Sequence, residues 1–122
     1  MITIQEILDY AKSKNGAEYE YKEAWQADVI KVKGKMFAFA GKNKAGNNIV
    51  NLKNDPSANQ ELREAFPDFV APGYYSNKDH WNSWYYDKKG LDISLLKEQI
   101  DDSYELVAGN KKRYNITINN EL

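Results

Sequence analysis

The run Ile30-Lys-Val-Lys-Gly-Lys-Met-Phe-Ala-Phe-Ala40 decides the fold class, because it contains two β-type segments joined by a glycine turn. Ile30 and Val32 alternate with lysines, and Gly34-Lys35 predicts a turn before a second strand that begins at Met36. Such a pattern is typical of a β-hairpin. We therefore expect an antiparallel sheet with one buried face and one wetter face.

Further extended segments lie on both sides of this hairpin. Tyr19 and Tyr21 alternate with charged residues before it, and Ile49-Val-Asn-Leu-Lys53 follows it after the polar loop 41–46. A later strand is predicted over Ser83 to Asp87. In that strand one face, carrying two large aromatic side chains, is expected to cover the core: Trp84 and Tyr86.

Three helices are predicted from their end signals. Thr3-Ile-Gln-Glu6 is a capping box, and Asn15-Gly16 ends the helix that it starts. Asp55-Pro56 begins a second helix, whose modest apolar stripe comprises Ala58, Leu62 and Ala65. A third helix begins at Asp92 and ends at Gly109. The expected fold is a two-layer α+β sandwich in the order helix, three or four strands, helix, one or two strands, helix.

Length and composition limit the function. The 122 residues fit one domain over 1–109, with 110–122 as either a C-terminal tail or a last strand of that domain. The sequence has no cysteine, which excludes disulfides, thiolate metal sites and cysteine nucleophiles. The 17 basic and 18 acidic residues nearly cancel, so nucleic-acid binding would need a segregated basic patch. Neither a signal peptide nor a membrane span is recognised, and we expect a cytoplasmic protein.

Four segments in order along the chain resemble the MmcQ/YjbR family of small bacterial proteins: Val32-Lys-Gly-Lys-Met-Phe-Ala38, Asn51-Leu-Lys-Asn-Asp-Pro56, Pro72-Gly-Tyr-Tyr-Ser-Asn-Lys-Asp-His-Trp-Asn82 and Ile100-Asp-Asp-Ser-Tyr-Glu-Leu-Val107. The resemblance implies a compact α+β fold of CyaY-like architecture and DNA binding through two hairpins, a double wing. The third segment carries the expected structural motif: Pro72, Gly73, Asn77, His80, Trp81 and Asn82. The chain departs from the family where Glu20 to Trp25 replaces a Pro-Phe-Gly-like element.

His80 is the candidate catalyst, with Asp79 beside it. Adjacent residues of an extended segment point to opposite faces, so Asp79 is badly placed to orient the imidazole. Carboxylates do not cluster around this histidine in the sequence, which argues against a metal site. We expect His80 to stabilise its turn through hydrogen bonds, and we expect no enzyme, cofactor or metal.

Lysines and tyrosines supply the candidate nucleic-acid contacts. The hairpins carry Lys31, Lys33, Lys42 and Lys44, which are expected to contact phosphates. The aromatic segment and its flank add rings for base stacking and further charges: Tyr75, Lys78, Tyr85, Lys88 and Lys89. In an alternative interpretation, the rings pack the sheet edge and the lysines form a solvated rim. A second function class is an adaptor domain that docks a protein partner through exposed aromatics.

Overall fold

The computed structural model describes residues 1–74 and 76–109. The candidate residue Tyr75 and the predicted tail or last strand at 110–122 lie outside these residues. The elements along the chain are α1 (Ile4–Lys12), β1 (Glu18–Lys22), a 3₁₀ segment (Glu23–Trp25), β2 (Ala27–Val32), β3 (Lys35–Lys42), β4 (Asn48–Lys53), α2 (Pro56–Ala65), β5 (Val70–Pro72), β6 (Trp81–Trp84) and α3 (Ile93–Ala108).

The six strands form one antiparallel sheet in the order β1-β2-β3-β4-β6-β5. The first four are a meander, and the return through α2 places β6 beside β4 and leaves β5 at an edge. The predicted α+β class is therefore confirmed. The capping box at Thr3 and Glu6 forms, the Asp92 side chain accepts from the Ser94 amide, and Gly109 ends α3 in the left-handed conformation.

The central hairpin turns one residue earlier than predicted. Lys33 and Gly34 both have positive φ, at 54° and 78°, as a two-residue type I′ turn requires. The pairing then shifts register, because Lys31 lies opposite Met36 whereas Ile30 lies opposite Ala38. The residue left over is Phe37, so β3 contains a bulge.

The inner face of the sheet, defined as the face that packs against the helices, carries the main core. Phe37 meets Tyr104 of α3 edge to face, with ring centroids 5.3 Å apart. Leu96 and Ile100 of α3 are fully buried against the same face. The Ser103 hydroxyl donates to the Phe37 carbonyl at 2.5 Å and accepts from the Lys53 amide at 2.9 Å. Helix α3 is thus fastened to two strands by polar bonds as well as by apolar contact.

The opposite, outer face is the wetter one, as predicted, but it also carries a small apolar cluster. Val29, Phe39 and Trp81 are buried there, and the half-buried Met36 packs against them. Phe39 and Trp81 pack edge to face at 5.1 Å. No helix of residues 1–74 and 76–109 contributes to this cluster, so the sheet buries apolar side chains on both faces by different means.

Two predicted elements need correction. The last strand is Trp81–Trp84 rather than Ser83 to Asp87, because the Trp81 amide ends the preceding turn by donating to the Asn77 carbonyl. Trp84 and Tyr86 nevertheless both lie in the inner core, as predicted. In α2 the expected apolar stripe is incomplete. Ala65 is exposed, and the buried residue of this helix is Asn59.

Candidate functional site

The two lysine-bearing hairpins point to opposite ends of the sheet. Strand β3 belongs to both, and its eight residues (Lys35–Lys42) separate the two tips. A strand of this length spans about 27 Å. The tips therefore do not lie side by side on one surface, and the candidate lysines divide into two groups.

One group gathers where β3 meets β4 and where β6 ends, and we call it the lysine end: Lys42, Lys44, Lys88 and Lys89. Because β4 and β6 are neighbours, the two loops lie together. The Asn48 side-chain amide donates to the Asp87 carboxylate across them, at 2.9 Å. All four lysines are exposed. Lys42 donates to the Asn48 side chain and Lys88 to the Asp68 carbonyl. Within residues 1–74 and 76–109, no carboxylate pairs with any of the four.

The other candidate lysines lie apart from the lysine end. Lys33 extends to the inner side and donates to the Ala108 carbonyl, at the C-terminus of α3. Lys31 points to the outer face, where its ammonium lies 3.6 Å from Glu20. The β-alternation therefore ends before Lys33, and these two side chains do not share a face. Lys78 donates to the Gly73 carbonyl in the loop between β5 and β6.

The sequence motif from Pro72 to Asn82 is held from the side of α2. Arg63 donates from Nε to the Asn82 side chain at 2.7 Å, and its Nη2 donates to the Lys78 carbonyl. The side-chain Nδ2 of Asn59 donates to the backbone carbonyls of Asn54 and Asp79. The motif asparagines are therefore mainly structural, since they fix the 73–80 loop against the start of α2.

Glycine is required at position 73 of this motif. A Cβ on Gly73 would lie 2.7 Å from the Trp81 Cβ and 2.6 Å from the Ser76 hydroxyl. Pro72 pairs with Asn82 at the end of β5, and the Asn77 side chain accepts from the Asp79 amide. Close packing and a side-chain turn together explain this part of the motif.

His80 stabilises its turn through its backbone. Its amide donates to the Asn77 carbonyl at 3.1 Å, its carbonyl accepts from the Asn54 amide at 3.0 Å, and its side chain is exposed. The predicted hydrogen bonds are therefore made by the main chain. Within the described part of the chain, no group of three or more histidine, aspartate or glutamate residues is arranged to hold a metal ion.

Tyr74 and Tyr85 are half-buried. The Tyr74 amide donates to the Ser83 hydroxyl, and Tyr85 lies beneath the Lys88 ammonium, 5.4 Å from the ring centroid. Tyr85 is therefore next to the lysine end. Tyr74 lies near the opposite end, above β6.

Sequence reasoning missed a groove on the outer face. It is a cavity of about 650 Å³ whose walls include Trp25 of the 3₁₀ segment and Trp81 of β6, and whose floor includes Phe39 and Asn51. Its lining includes two small residues on neighbouring strands, Ala27 and Gly41, and a Cβ on Gly41 would lie 3.6 Å from the Ala27 Cβ. Trp25 is 54% exposed at its rim. The one sequence signal was the departure from the family pattern at Glu20 to Trp25.

A second cavity, of about 390 Å³, adjoins the groove and shares Trp25, Met36 and Trp81 with it. Four lysines line this second cavity: Lys22, Lys31, Lys35 and Lys53. Glu20 lies 3.7 Å from Lys22 and 3.6 Å from Lys31. Lys35 and Lys53 pair with no carboxylate among the residues described. One end of the groove is therefore positively charged.

Raised pKa values occur at tyrosines on the inner side of the sheet. A hydrogen bond that donates to Asp28, together with desolvation, raises the pKa of Tyr19 to about 12. Burial, with smaller contributions from the charges of Asp87 and Asp28, raises the pKa of Tyr86 to about 12. Neither shift produces a reactive group at neutral pH. Over the described ranges, no helix combines the length and apolar character needed to cross a bilayer.

Comparison with known sequences identifies relatives over most of the chain. A sequence model of the YjbR family matches residues 12–106. The uncharacterised protein YjbR of Escherichia coli K12 is 36% identical over 104 residues, which cover 85% of this chain and 86% of that protein. The uncharacterised protein YbdF of Escherichia coli O157:H7 is 39% identical over 83 residues, covering 66% of this chain and 64% of that protein.

Two crystal structures have a similar fold. Protein DR2400 of Deinococcus radiodurans, described as a DUF419 domain, superposes with a TM-score of 0.78 at 28% identity, covering 98% of this chain and 89% of that one. A Pseudomonas syringae protein superposes with a TM-score of 0.74 at 21% identity, covering 87% of this chain and 99% of that one. At that identity, the second likeness concerns the fold alone.

Proposed function

The chain belongs to the YjbR family, and we propose that it is a non-catalytic nucleic-acid-binding protein that holds duplex DNA through its lysine end. The observation that carries this proposal is the convergence of Lys42, Lys44, Lys88 and Lys89 on two adjacent loops tied by Asn48 and Asp87. All four ammonium groups are exposed and form no ion pair with a carboxylate of the described residues, so they are available to phosphates.

The proposed binding is weak and has little sequence preference. Lysine supplies a point charge rather than the planar fork with which arginine reads guanine. Arg63, the arginine of α2, is committed to Asn82 and to loop carbonyls. Phosphate contacts therefore dominate, and each contact releases about one counterion from duplex DNA.

The test is a titration of labelled duplex DNA at two salt concentrations. Replacing Lys42, Lys44, Lys88 and Lys89 with glutamine is expected to abolish most binding at low salt and to flatten the salt dependence. The fold is expected to survive, because all four side chains are exposed. Circular dichroism and the urea midpoint verify this.

A control with the same change in charge replaces four lysines away from the lysine end: Lys12, Lys33, Lys78 and Lys97. Glutamine keeps a donor for the Ala108 carbonyl at position 33. The control is expected to bind nearly as wild type. Absence of low-salt binding by the wild type, or equal loss in both variants, contradicts the proposal.

A second candidate function is docking of a protein partner at the β1 edge. Tyr19, Tyr21 and Trp25 are the large aromatic side chains exposed in and after this edge strand, and exposed aromatics are favoured at interfaces. A partner retained by immobilised wild type and by Tyr21→Phe, but lost with Tyr21→Ala, would favour this function. Retention by all three forms would count against it.

A further inference from the structure

The groove on the outer face has the form of a small-molecule site. Its volume of about 650 Å³ lies within the range of about 300 to 1,000 Å³ that ligand pockets occupy. Its floor is apolar through Phe39 and Met36, while Asn51 adds a polar group. Two small residues, Ala27 and Gly41, are part of its lining.

Two indole rings stand where the groove meets the second cavity, because Trp25 and Trp81 line both. Trp81 is buried and held edge to face by Phe39, so its position is fixed. Trp25 is half-exposed and contributes to neither core cluster. A half-exposed indole at a cavity mouth suits a planar ring, since stacking on tryptophan tolerates any aromatic base.

The charge beside these rings favours an anion. Four lysines line the second cavity, Glu20 lies within 3.7 Å of two of them, and Glu23 lines the adjoining groove. The ammonium groups of Lys22 and Lys53 lie over the Trp25 and Trp81 rings, 5.4 and 6.0 Å from the centroids. The positive charge and the aromatic faces are thus adjacent, so that one ligand can reach both.

A hydroxyl without a partner also lines the groove. The Ser76 Oγ is buried and makes no hydrogen bond within residues 1–74 and 76–109. A buried polar group that lacks a partner destabilises the structure, because it has lost its hydrogen bonds to water. A ligand that offers a donor or acceptor to Ser76 removes this cost.

We propose that the outer groove binds a mononucleotide, that is, a planar base carrying a ribose and phosphate. The base lies against Trp25 and Trp81, and the phosphate lies among Lys22, Lys35 and Lys53. Ser76 supplies a hydrogen bond to the edge of the ligand. This site is separate from the lysine end, although Lys42 borders both.

The experiment titrates the full chain with a purine nucleoside monophosphate and follows tryptophan fluorescence and the indole NMR signals. Trp84 is 1% exposed in the inner core and is expected to stay unchanged, while Trp25 and Trp81 shift. The unphosphorylated nucleoside and inorganic phosphate, titrated separately, are each expected to bind at least about tenfold more weakly.

Three variants locate the site, and all of them retain Lys42. Trp25→Ala is expected to weaken binding about tenfold, since stacking supplies this much per base. The double variant Lys35→Gln with Lys53→Gln is expected to weaken nucleotide binding and leave nucleoside binding unchanged. Tyr21→Ala is the matched control, because Tyr21 is 53% exposed in the adjoining strand but pairs with Asp28 on the inner side.

Several results would overturn the proposal. One is the absence of shifts with the nucleotide up to about 10 mM. Another is equal binding by Trp25→Ala and wild type, and a third is binding of a single-stranded oligonucleotide without binding of the mononucleotide. Failure here leaves duplex binding by the lysine end intact, since the two sites are changed by different substitutions.

Discussion

The two faces of the sheet bury apolar side chains in different ways. On the inner face, helices α1 and α3 cover a continuous core that includes Phe37 and Trp84. On the outer face, a small cluster is formed around Phe39 and Trp81. The groove beside this cluster is lined by the 3₁₀ segment and by Ser76. The inner face therefore stabilises the fold, whereas the outer face is available for binding.

The largest expected effect tests the stabilising role of the inner face. Leu96→Ala is expected to lower the free energy of unfolding by about 3 kcal/mol, because Leu96 is fully buried and its truncation leaves a cavity. Trp25→Ala, on the outer face, is expected to change it by no more than about 0.5 kcal/mol. Urea unfolding at neutral pH measures both. Similar losses in the two variants would remove the distinction between the faces.

A smaller effect tests how α3 is fastened to the inner face. Ser103→Ala is expected to cost about 2 kcal/mol, because the Phe37 carbonyl and the Lys53 amide lose a buried partner. Ser94→Ala, in the exposed first turn of the same helix, is the matched control and should cost about 0.5 kcal/mol or less. A Ser103 variant as stable as its control would show that apolar contacts alone hold the helix.

The smallest effect is absent at neutral pH. It tests whether the inner face excludes water from the Tyr86 hydroxyl. Burial raises the pKa of Tyr86 from 10.0 to about 12, so the folded state prefers the neutral phenol. This contribution to stability is complete below pH 10 and is lost as the pH rises through 10 to 12. Tyr86→Phe is therefore expected to unfold less readily than wild type across that interval, relative to their stabilities near neutral pH.

Urea midpoints measured at several pH values check the Tyr86 prediction. Tyr19→Phe is the comparison variant, since the pKa of Tyr19 is also raised to about 12 but its side chain is 42% exposed. Solvent screening reduces its effect on stability. If Tyr19→Phe alone removed the alkaline loss, the buried position of Tyr86 would not be its cause.

Local signals in the sequence predicted much of the inner face. Each of these signals is set by residues a few positions apart: the capping box at Thr3, the Asp92 cap, and the alternation of Ile30 and Val32 with lysines. The sharing of one core by Trp84 and Tyr86 was also predicted correctly. Each of these features depends on contacts between near neighbours in the chain.

The outer face was beyond such reasoning. Its groove is lined by residues of different strands, among them Ala27, Gly41 and Trp81. These residues are far apart in the sequence, so no local pattern indicates that they line one cavity. The strand from Trp81 was predicted two residues late, because a turn bond to Asn77 sets its start. The contacts of Arg63 had no sequence signal either, since its partners lie 15 and 19 residues further along the chain.

The bonds from Arg63 connect α2 mechanically to the groove. Ser76 lines the outer cavity. On the other side of the sheet, Arg63 of α2 donates to the Asn82 side chain and to the Lys78 carbonyl. Helix α2 is thus bonded through Arg63 to the backbone that leads to one wall of the groove. Arg63 also donates to the carbonyl of Trp81, which itself lines the groove, so the placement of α2 helps to set the position of that wall.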